Sequence, residues 1–208
     1  MNIAVIGSGN VCGTLGRRWA ELGHQVIFGS RDPHSQKVKA LLAASPQARA
    51  ATAGDAAAQA EVVALATPWP GLEQIVTGLG DLRGKVVIDC TNPIAPGFQL
   101  AVGVTTSGAE QVAGWATGAR VVKAFNTTGW ENMADPLYDG EPITMFICGD
   151  DAQAKAVVTE LAEALGFEVA DVGDLTTARF VEPLAMVWIT LAIVRGQGRN
   201  LAFKIVKR

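Results

Sequence analysis

The feature that most constrains the fold of this chain is a glycine-containing turn close to its N-terminus. Ile3 to Ile6 is a short apolar run, as expected of a β-strand buried on both faces. It leads directly into the segment Gly7-Ser8-Gly9-Asn10-Val11-Cys12-Gly13, after which Leu15 and Trp19 recur at helical spacing. A strand, a tight turn and a helix in this order predict the first unit of an α/β sheet.

The rest of the chain continues this alternation of strands and helices. Further strands are predicted at Gln25–Gly29, Val62–Ala66, Lys85–Asp89, Arg120–Ala124, Ile143–Cys148 and Glu168–Asp171, with a poorly bounded strand and helix between Ala48 and Ala60. Helices are predicted from Asp32-Pro33 through Leu42, and over Leu72–Leu79, Gly108–Thr117, Asp151–Leu165 and Leu175–Arg195. The predicted fold class is therefore α/β, a Rossmann-type doubly wound, mostly parallel sheet with a short C-terminal strand–helix extension.

Length and composition narrow the class of protein. A chain of 208 residues is expected to form a single domain, with a core over about 1–140 and an extension over about 141–208. The net charge of −3 gives no electrostatic footprint for nucleic acid. Three unpaired cysteines argue against a disulfide framework or a metal site. The longest apolar run, Pro183–Val194, is too short to span a bilayer, and no signal peptide precedes the first strand, so a cytoplasmic protein is expected.

The turn after the first strand resembles the Rossmann dinucleotide-binding fingerprint. In that fingerprint Gly7 allows the tight turn, and Gly9 lets the backbone approach a pyrophosphate at the helix N-terminus. Cys12 stands where a third glycine or alanine is expected. Because a buried cysteine usually behaves as a small apolar residue, a packing role is expected for Cys12, and a redox role is the alternative.

The end of the second strand indicates which nucleotide is bound. NAD sites carry an acidic residue there, whereas this chain has Ser30 and Arg31, which suit a 2′-phosphate. An Arg–phosphate contact favours NADP(H) by roughly 10–100-fold. Lys37 supplies a second cation or is a solvated helix charge, and Asp32 is expected to cap the following helix.

Taken together, these motifs resemble the family of NADP-dependent reductases of the deazaflavin coenzyme F420, to which the cytosolic oxidoreductase domains of the STEAP ferric reductases are related. The matching segments are Ile3–Gly16, Phe28-Gly29-Ser30-Arg31, Ala66-Thr67-Pro68-Trp69, Asp89-Cys90-Thr91-Asn92-Pro93 and Val122-Lys123-Ala124-Phe125-Asn126-Thr127. The resemblance implies hydride transfer between NADP(H) and coenzyme F420 or a flavin such as FMN or FAD.

The resemblance also implies which residues bind. The cofactor-binding set is Gly7, Ser8, Gly9, Asn10, Val11, Ser30, Arg31, Lys37, Ala66, Thr67, Pro68, Asn92, Pro93, Ala124 and Asn126. Trp69, Asn92, Asn126 and Met186 are candidates for the acceptor pocket. These segments follow predicted parallel strands, which is where doubly wound sheets bind their ligands.

Direct hydride transfer needs positioning rather than a general acid, so no catalytic side chain is assigned. The only two histidines, His24 and His34, are expected at the surface. Lys123 is equally compatible with facing the site and with pointing away from it.

The C-terminal segment bears on the acceptor and on assembly. Met186, Trp188 and Leu191 form either core or a wall for a planar ring, and Trp69, Trp130 and Met133 are candidates for the same wall. The apolar final helix and the 18% content of charged residues predict a homodimer.

Two alternative functions remain at this point. One is an NADPH-dependent reductase of a small imine or ketone, which normally needs an acid–base group at the reacting atom. The other is a non-catalytic NADP-binding sensor or partner of another protein, which would bind NADPH without oxidising it.

Overall fold

The fold is built on one eight-stranded sheet, and the computed structural model describes all 208 residues. In chain order the strands are Asn2–Ile6 (β1), Gln25–Ser30 (β2), Arg49–Thr52 (β3), Val62–Leu65 (β4), Val86–Asp89 (β5), Ile94–Ala95 (β6), Gln99–Leu100 (β7), Arg120–Lys123 (β8), Leu137–Tyr138 (β9), Glu141–Pro142 (β10), Thr144–Gly149 (β11) and Glu168–Asp171 (β12). The sheet has the order β12-β11-β8-β5-β4-β1-β2-β3, while β6 with β7 and β9 with β10 form two small hairpins outside it.

Helices cover both faces of this sheet. They are Asn10–Glu21 (α1), Gln36–Ala44 (α2), Ala53–Ala58 (α3), Leu72–Thr77 (α4), Gly108–Trp115 (α5), Trp130–Ala134 (α6), Ala152–Ala164 (α7) and Ala178–Ile189 (α8). Buried residues of α1, α6 and α7 belong to one core cluster, and those of α3, α4, α5 and the first turn of α8 belong to the other. The two clusters lie on opposite sides of the sheet because side chains alternate along a strand. This is the predicted doubly wound arrangement.

The register of the sheet brings the carboxyl ends of five elements into one row. Ile6 is paired with Gly29 on one side and with Leu65 on the other, Leu65 is paired with Asp89, and Asp89 with Lys123. The loops that follow these residues therefore leave the sheet side by side, at the edge where ligands of such sheets bind.

Two strands run against the others. β11 pairs antiparallel with β8 and β12 pairs parallel with β11, so the carboxyl ends of β11 and β12 lie at the opposite edge of the sheet. The sheet is therefore mostly rather than wholly parallel, as predicted. Neither α6 nor the two small hairpins were predicted from the sequence.

The last helix is less uniform than predicted. A 3₁₀ turn at Leu175–Thr177 precedes α8, and a π-helical turn at Thr190–Val194 follows it. The combined segment Leu175–Val194 is long and apolar enough to cross a membrane, with a mean hydropathy of 1.5, although a core helix passes the same test. Its inner face contributes Ala178 and Val181 to the core under the sheet.

Candidate functional site

The turn between β1 and α1 depends on glycine at its first position. Gly7 has φ 138°, and its N–H donates to the carbonyl oxygen of Gly29 at 2.9 Å. A Cβ atom at Gly7 would lie 2.4 Å from the carbonyl oxygen of Ala66, so no other residue fits. A Cβ atom at Gly9, in contrast, would meet nothing within 4 Å, which leaves open space in front of the α1 N-terminus. This is the geometry that accepts a phosphate.

Cys12 packs at the base of the same turn. Its Sγ lies 3.1 Å from the Gly7 carbonyl oxygen, and the side chain is fully buried. Burial raises the pKa of the Cys12 thiol to about 12, which keeps it protonated and unreactive at neutral pH. The close approach of α1 to β2 depends on Gly16, whose Cβ atom would lie 2.3 Å from the Phe28 ring. Cys12 is accommodated with its Sγ against the backbone of β1 and the turn, near the carbonyl oxygens of Val5 and Gly7.

A cleft of about 650 Å³ opens beside the turn. It is lined by nine of the predicted cofactor-binding residues, namely Gly7, Ser8, Gly9, Ser30, Arg31, Lys37, Ala66, Thr67 and Pro68. It is also lined by Ile6 and Gly29, which belong to the matching segments but were not among the predicted binding residues, and by Ala53, Pro70, Gly71, Gln74, Ile75 and Gly78. Most of these additional residues belong to α3, α4 and the loop before α4, and no motif marks them.

Several charged and polar side chains that line the cleft have no partner within the protein. Arg31 and Lys37 are exposed, and neither makes a salt bridge. The hydroxyls of Ser30 and Thr67 are buried without a hydrogen-bond partner. Because buried polar groups are normally paired, cations and hydroxyls left free in one cleft fit an anionic, hydroxyl-bearing ligand such as NADP(H).

The capping prediction for the helix next to the cleft was wrong. Asp32 Oδ1 accepts from the His34 N–H at 2.9 Å in a local turn, and α2 begins only at Gln36. The N-cap is Ser35, whose Oγ accepts from the Val38 N–H at 3.4 Å. Asp32 accepts from a backbone N–H about one turn before α2 begins, so it does not cap the helix.

The remaining predicted cofactor residues lie outside this cleft. Asn10 is exposed at the start of α1, and Val11 packs against the core. Asn92, Pro93, Ala124 and Asn126 follow β5 and β8. We name this second group of residues the reacting end, because the resemblance implies that the nicotinamide binds there.

Two asparagines connect the strands at the reacting end. Asn126 Nδ2 donates to Asn92 Oδ1 at 3.0 Å, and Asn92 Nδ2 donates to the Asn126 carbonyl oxygen at 2.9 Å. Asn126 Oδ1 is buried and has no partner. The pair therefore holds the loops after β5 and β8 together and leaves one acceptor free for a ligand donor such as a carboxamide.

An unusual backbone conformation precedes Asn126. Phe125 has φ 61°, in the left-handed region that bulky residues rarely adopt. Its N–H faces Met145 Sδ at 3.1 Å, and its ring packs edge-on against Trp19 and Phe167. These contacts hold the turn that directs the chain back toward Asn92.

Lys123 points away from solvent into a buried ionic cluster. Its ammonium lies 2.9 Å from Asp89 Oδ2, 2.8 Å from Glu182 Oε1 and 2.6 Å from the Thr91 carbonyl oxygen. Burial alone would lower the pKa of Lys123, but Asp89 and Glu182 outweigh burial and raise the pKa above its usual value. Lys123 is therefore charged and has a partner for each of its three protons.

The candidates for the acceptor wall have different surroundings. Half-buried Met186 packs with Ile94 on the small cluster around Trp188, next to the Asn92-Pro93 segment. Trp69 stacks at a tilt on Trp115, with ring centroids 5.6 Å apart.

Two further candidates for that wall lie on α6. Trp130 is half-buried at the start of the helix. The prediction for Met133 was wrong, because it is fully buried in the core.

The histidines lie away from the reacting end. His34 is exposed, and His24 is half-buried with Nδ1 3.4 Å from the N-terminal amine. Burial, followed by that amine, lowers the pKa of His24. No group of three or more His, Cys, Asp or Glu side chains is arranged to hold a metal ion.

Comparison with known proteins identifies the family. A family model described as NADP oxidoreductase, coenzyme F420-dependent, matches residues 2–93. The F420-dependent NADP reductase of Methanothermobacter thermautotrophicus is 33% identical over 231 aligned positions, which cover 99% of this chain and 94% of that protein. The chain belongs to this family. It is thus an NADP-dependent oxidoreductase.

A solved structure and a mammalian protein are also similar to this chain. A crystal structure from Arthrobacter sp. FB24, provisionally described as an F420-dependent NADP-reductase, has a TM-score of 0.92 and 36% identity, with 100% of both chains covered. Metalloreductase STEAP3 of Rattus norvegicus is 31% identical over 185 residues, which cover 88% of this chain. The chain spans only 36% of STEAP3, about a third of its length.

Proposed function

We propose that this member of the family transfers hydride between NADPH and a flavin-like acceptor, either the deazaflavin coenzyme F420 or a flavin. The observation that carries the proposal is the continuity of the site. A cleft with free cations and hydroxyls leads along one sheet edge to an asparagine pair, beside which Met186 and Ile94 present apolar surface. A long cofactor with an anionic end and a planar reactive end fits this sequence of environments.

Each part of the chain has a role in this proposal. The backbone N–H groups at the α1 N-terminus bind the pyrophosphate, and Ser30, Arg31 and Lys37 bind the 2′-phosphate. Asn126 Oδ1 accepts from the carboxamide. NADPH supplies the hydride when bound.

Catalysis then consists of holding the nicotinamide C4 and the reacting ring atom of the acceptor about 3–3.5 Å apart and of excluding water. Ile94, Met186 and Trp69 supply the apolar surroundings for this step.

The test of the proposal is anaerobic NADPH oxidation with oxidised coenzyme F420, FMN, FAD and riboflavin as parallel acceptors. Absorbance is followed at about 340 nm and in the band of each acceptor. Fast turnover with one acceptor supports the proposal and identifies the substrate. Tight NADPH binding without turnover on any of the four contradicts it and favours the sensor or a reductase of another small acceptor.

A matched variant tests where the acceptor binds. Met186→Ala is expected to raise the KM for the acceptor by about 10-fold, because it removes apolar contact worth ~1–2 kcal/mol. The KM for NADPH should stay within about 2-fold, since Met186 lies outside the phosphate cleft. Equal changes in both KM values would place the acceptor elsewhere.

The alternative of a carbonyl or imine reductase needs a proton donor. Lys123 is the titratable group that leads into the asparagine loop, and its three acceptors occupy its three N–H donors. This saturation favours an acceptor that takes hydride without an enzymatic acid.

A homodimer in the cytoplasm remains part of the proposal. Along α8 and the following π turn, apolar residues recur at spacings of four and three, namely Phe180, Leu184, Val187, Leu191 and Val194. Phe180 is 75% exposed, and Val187 and Val194 are 49% and 56% exposed. A stripe with this spacing suits pairing with the same stripe of a second copy.

Light scattering tests the homodimer. A mass of two chains is expected for the native protein and of one chain for Val187→Asp, with Ala156→Asp on the exposed side of α7 as the control. A monodisperse native monomer would contradict the dimer.

A further inference from the structure

The ionic cluster of Asp89, Lys123 and Glu182 is the most deeply buried charged group in the protein. Asp89 and Lys123 have no exposed surface, and Glu182 is 1% exposed. With two carboxylates and one ammonium, the cluster carries a net charge of −1. The N-terminus of α5 offsets part of this charge, because Glu182 accepts from the N–H groups of Gly108 at 2.9 Å and Ala109 at 3.0 Å.

On one side, the cluster fixes the loop that carries Asn92. Asp89 Oδ1 accepts from the Thr91 N–H at 2.9 Å and from the Thr91 hydroxyl at 2.7 Å, while Lys123 donates to the Thr91 carbonyl oxygen at 2.6 Å. Thr91 is therefore held at both of its backbone polar groups. The next residue, Asn92, pairs with Asn126, which lies only three residues after Lys123.

On the other side, the cluster fixes the packing against which the acceptor wall rests. A Cβ atom at Gly108 would lie 3.0 Å from the Trp69 ring, 3.1 Å from Glu182 Oε1 and 3.3 Å from Pro93. Trp69, Pro93 and the carboxylate thus meet at the start of α5. Asn126 Nδ2 also lies 3.5 Å from the Val181 carbonyl oxygen, next to Glu182 on α8.

Stability alone does not account for such a cluster. Removing three charged side chains from water costs several kcal/mol for each ion, and well-packed apolar residues of similar size are often as stabilising. What apolar residues lack is directional contact with a carbonyl oxygen and with backbone N–H groups. The cluster supplies that contact at four elements, namely β5, β8, α5 and α8.

We propose that Asp89, Lys123 and Glu182 are positioning residues of the reacting end, which fix the Asn92–Asn126 pair and thereby the orientation of the nicotinamide without affecting the binding of the 2′-phosphate end. This rests on the proposed function, in that NADPH is the ligand. None of the three residues lines the phosphate cleft, so the two ends of the cofactor are held independently.

The experiment compares two ligands on four proteins. Adenosine 2′,5′-bisphosphate reports the phosphate cleft alone, and NADPH reports both ends. The proteins are the native chain, Lys123→Met, Glu182→Gln and the control Lys155→Met, which removes a lysine of α7 that pairs with Asp171 of β12. Glu182→Gln is included because Lys123→Met leaves two buried carboxylates without a cation. Thermal unfolding establishes that each protein is folded.

In both cluster variants we expect the affinity for adenosine 2′,5′-bisphosphate to stay within about 2-fold and that for NADPH to fall by about 10-fold. The fluorescence anisotropy of bound NADPH should fall, since the nicotinamide is less restrained. With the acceptor used by the native chain, kcat should fall by about 100-fold while the KM for NADPH changes far less. The control should match the native chain in every readout.

Two results would overturn the inference. Parallel losses of affinity for both ligands would mean that the cluster only supports the fold. Unchanged NADPH affinity and anisotropy in a folded cluster variant would mean that it does not orient the nicotinamide. Failure of the native chain to bind NADPH more tightly than the bisphosphate would instead contradict the proposed function, and the inference with it.

Discussion

The phosphate cleft and the reacting end lie on the same edge of one sheet, yet they are built in opposite ways. The cleft is open, and its cations Arg31 and Lys37 are exposed without salt bridges. The reacting end is closed, with Lys123 fully buried among its acceptors and Asn126 only 5% exposed. The polar groups of the cleft are largely unpaired within the protein, whereas those of the reacting end are nearly all paired.

Under the proposed function, the two regions divide binding from orientation between them. Free cations in water lose little on meeting a phosphate, so the cleft would provide affinity and nucleotide choice. Prearranged buried groups provide orientation, because their reorganisation has been completed on folding. Substitutions in the cleft should therefore change affinity, and substitutions at the reacting end should change rate.

The largest effect is expected from the turn that opens the cleft. Gly7→Ala places a Cβ atom 2.4 Å from the Ala66 carbonyl oxygen at φ 138° and should lower the free energy of unfolding by about 3 kcal/mol, with loss of NADPH binding. Gly9→Ala is the matched control, because its Cβ atom meets no protein atom within 4 Å. It should retain native stability and lose only nucleotide affinity. Denaturant unfolding and NADPH titration of both variants measure this, and equal stability of the two would contradict the role of Gly7.

A smaller effect is expected from Arg31, one of the two cations of the cleft. Arg31→Ser should weaken NADPH binding by roughly 10–100-fold and leave NADH binding nearly unchanged, because only NADPH carries the 2′-phosphate. Arg17→Ser, which removes an arginine paired with Glu21 on α1, serves as the control. Titration with both nucleotides decides the matter. Equal losses for NADPH and NADH would make Arg31 a structural residue.

A pH effect should appear in both regions through their buried thiols. The pKa of Cys12 is raised from 9.0 to about 12 by burial, and burial also raises the pKa of Cys90. Below pH 9.0 both the folded and the unfolded chain keep these protons; above it only the unfolded chain loses them. Unfolding should then become easier by at most about 1.4 kcal/mol per pH unit for each thiol.

Urea unfolding between about pH 8 and 10 measures this slope. Cys12→Ala should make the slope shallower, and so should Cys90→Ala. A slope unaffected by both substitutions would show that the thiols are accessible in the native state.

The smallest effect is expected at the cap of α2, beside the cleft. Ser35→Ala should lower the free energy of unfolding by about 0.5–1 kcal/mol, because the Val38 N–H loses its acceptor. Asp32→Ala should have a smaller effect, since Asp32 closes only a local turn. Chemical denaturation compares the two variants. A larger loss for Asp32→Ala would restore Asp32 as the effective cap.

The two regions also differ in how far the sequence could predict them. The cleft follows from contiguous motifs, because Gly7, Gly9, Ser30 and Arg31 stand at fixed offsets from two strands. The long strands and helices were predicted for the same reason, with β12 matched at both ends. The elements that were missed have two to five residues, which is too short for a periodic pattern.

The reacting end could not be predicted because its contacts join distant parts of the chain. The strand β8 is buried on both faces, so no alternation shows which way Lys123 points. Glu182 lies in an apolar helix far along the chain. The backbone N–H groups that donate to it, those of Gly108 and Ala109, are 74 and 73 residues away. A carboxylate within an otherwise largely apolar helix was the one available signal. Met133 was misassigned because a core methionine and a pocket methionine have the same sequence context.

After α8 the C-terminal segment turns back and contacts that helix again at Leu201. This return has a consequence for the order of folding. The Leu201 carbonyl oxygen accepts from Trp188 Nε1 at 2.7 Å and from Asn132 Nδ2 at 2.8 Å, so residue 201 fastens the wall beside the reacting end. The residues that line the phosphate cleft all lie between Ile6 and Gly78. During synthesis the cleft can therefore begin to assemble early, although α1 later also packs against α6 and α7, whereas the reacting end must wait for nearly the whole chain. Pulsed hydrogen exchange should find β1, β2 and β4 protected before β8, and a nascent chain able to hold a nucleotide before it is able to use one.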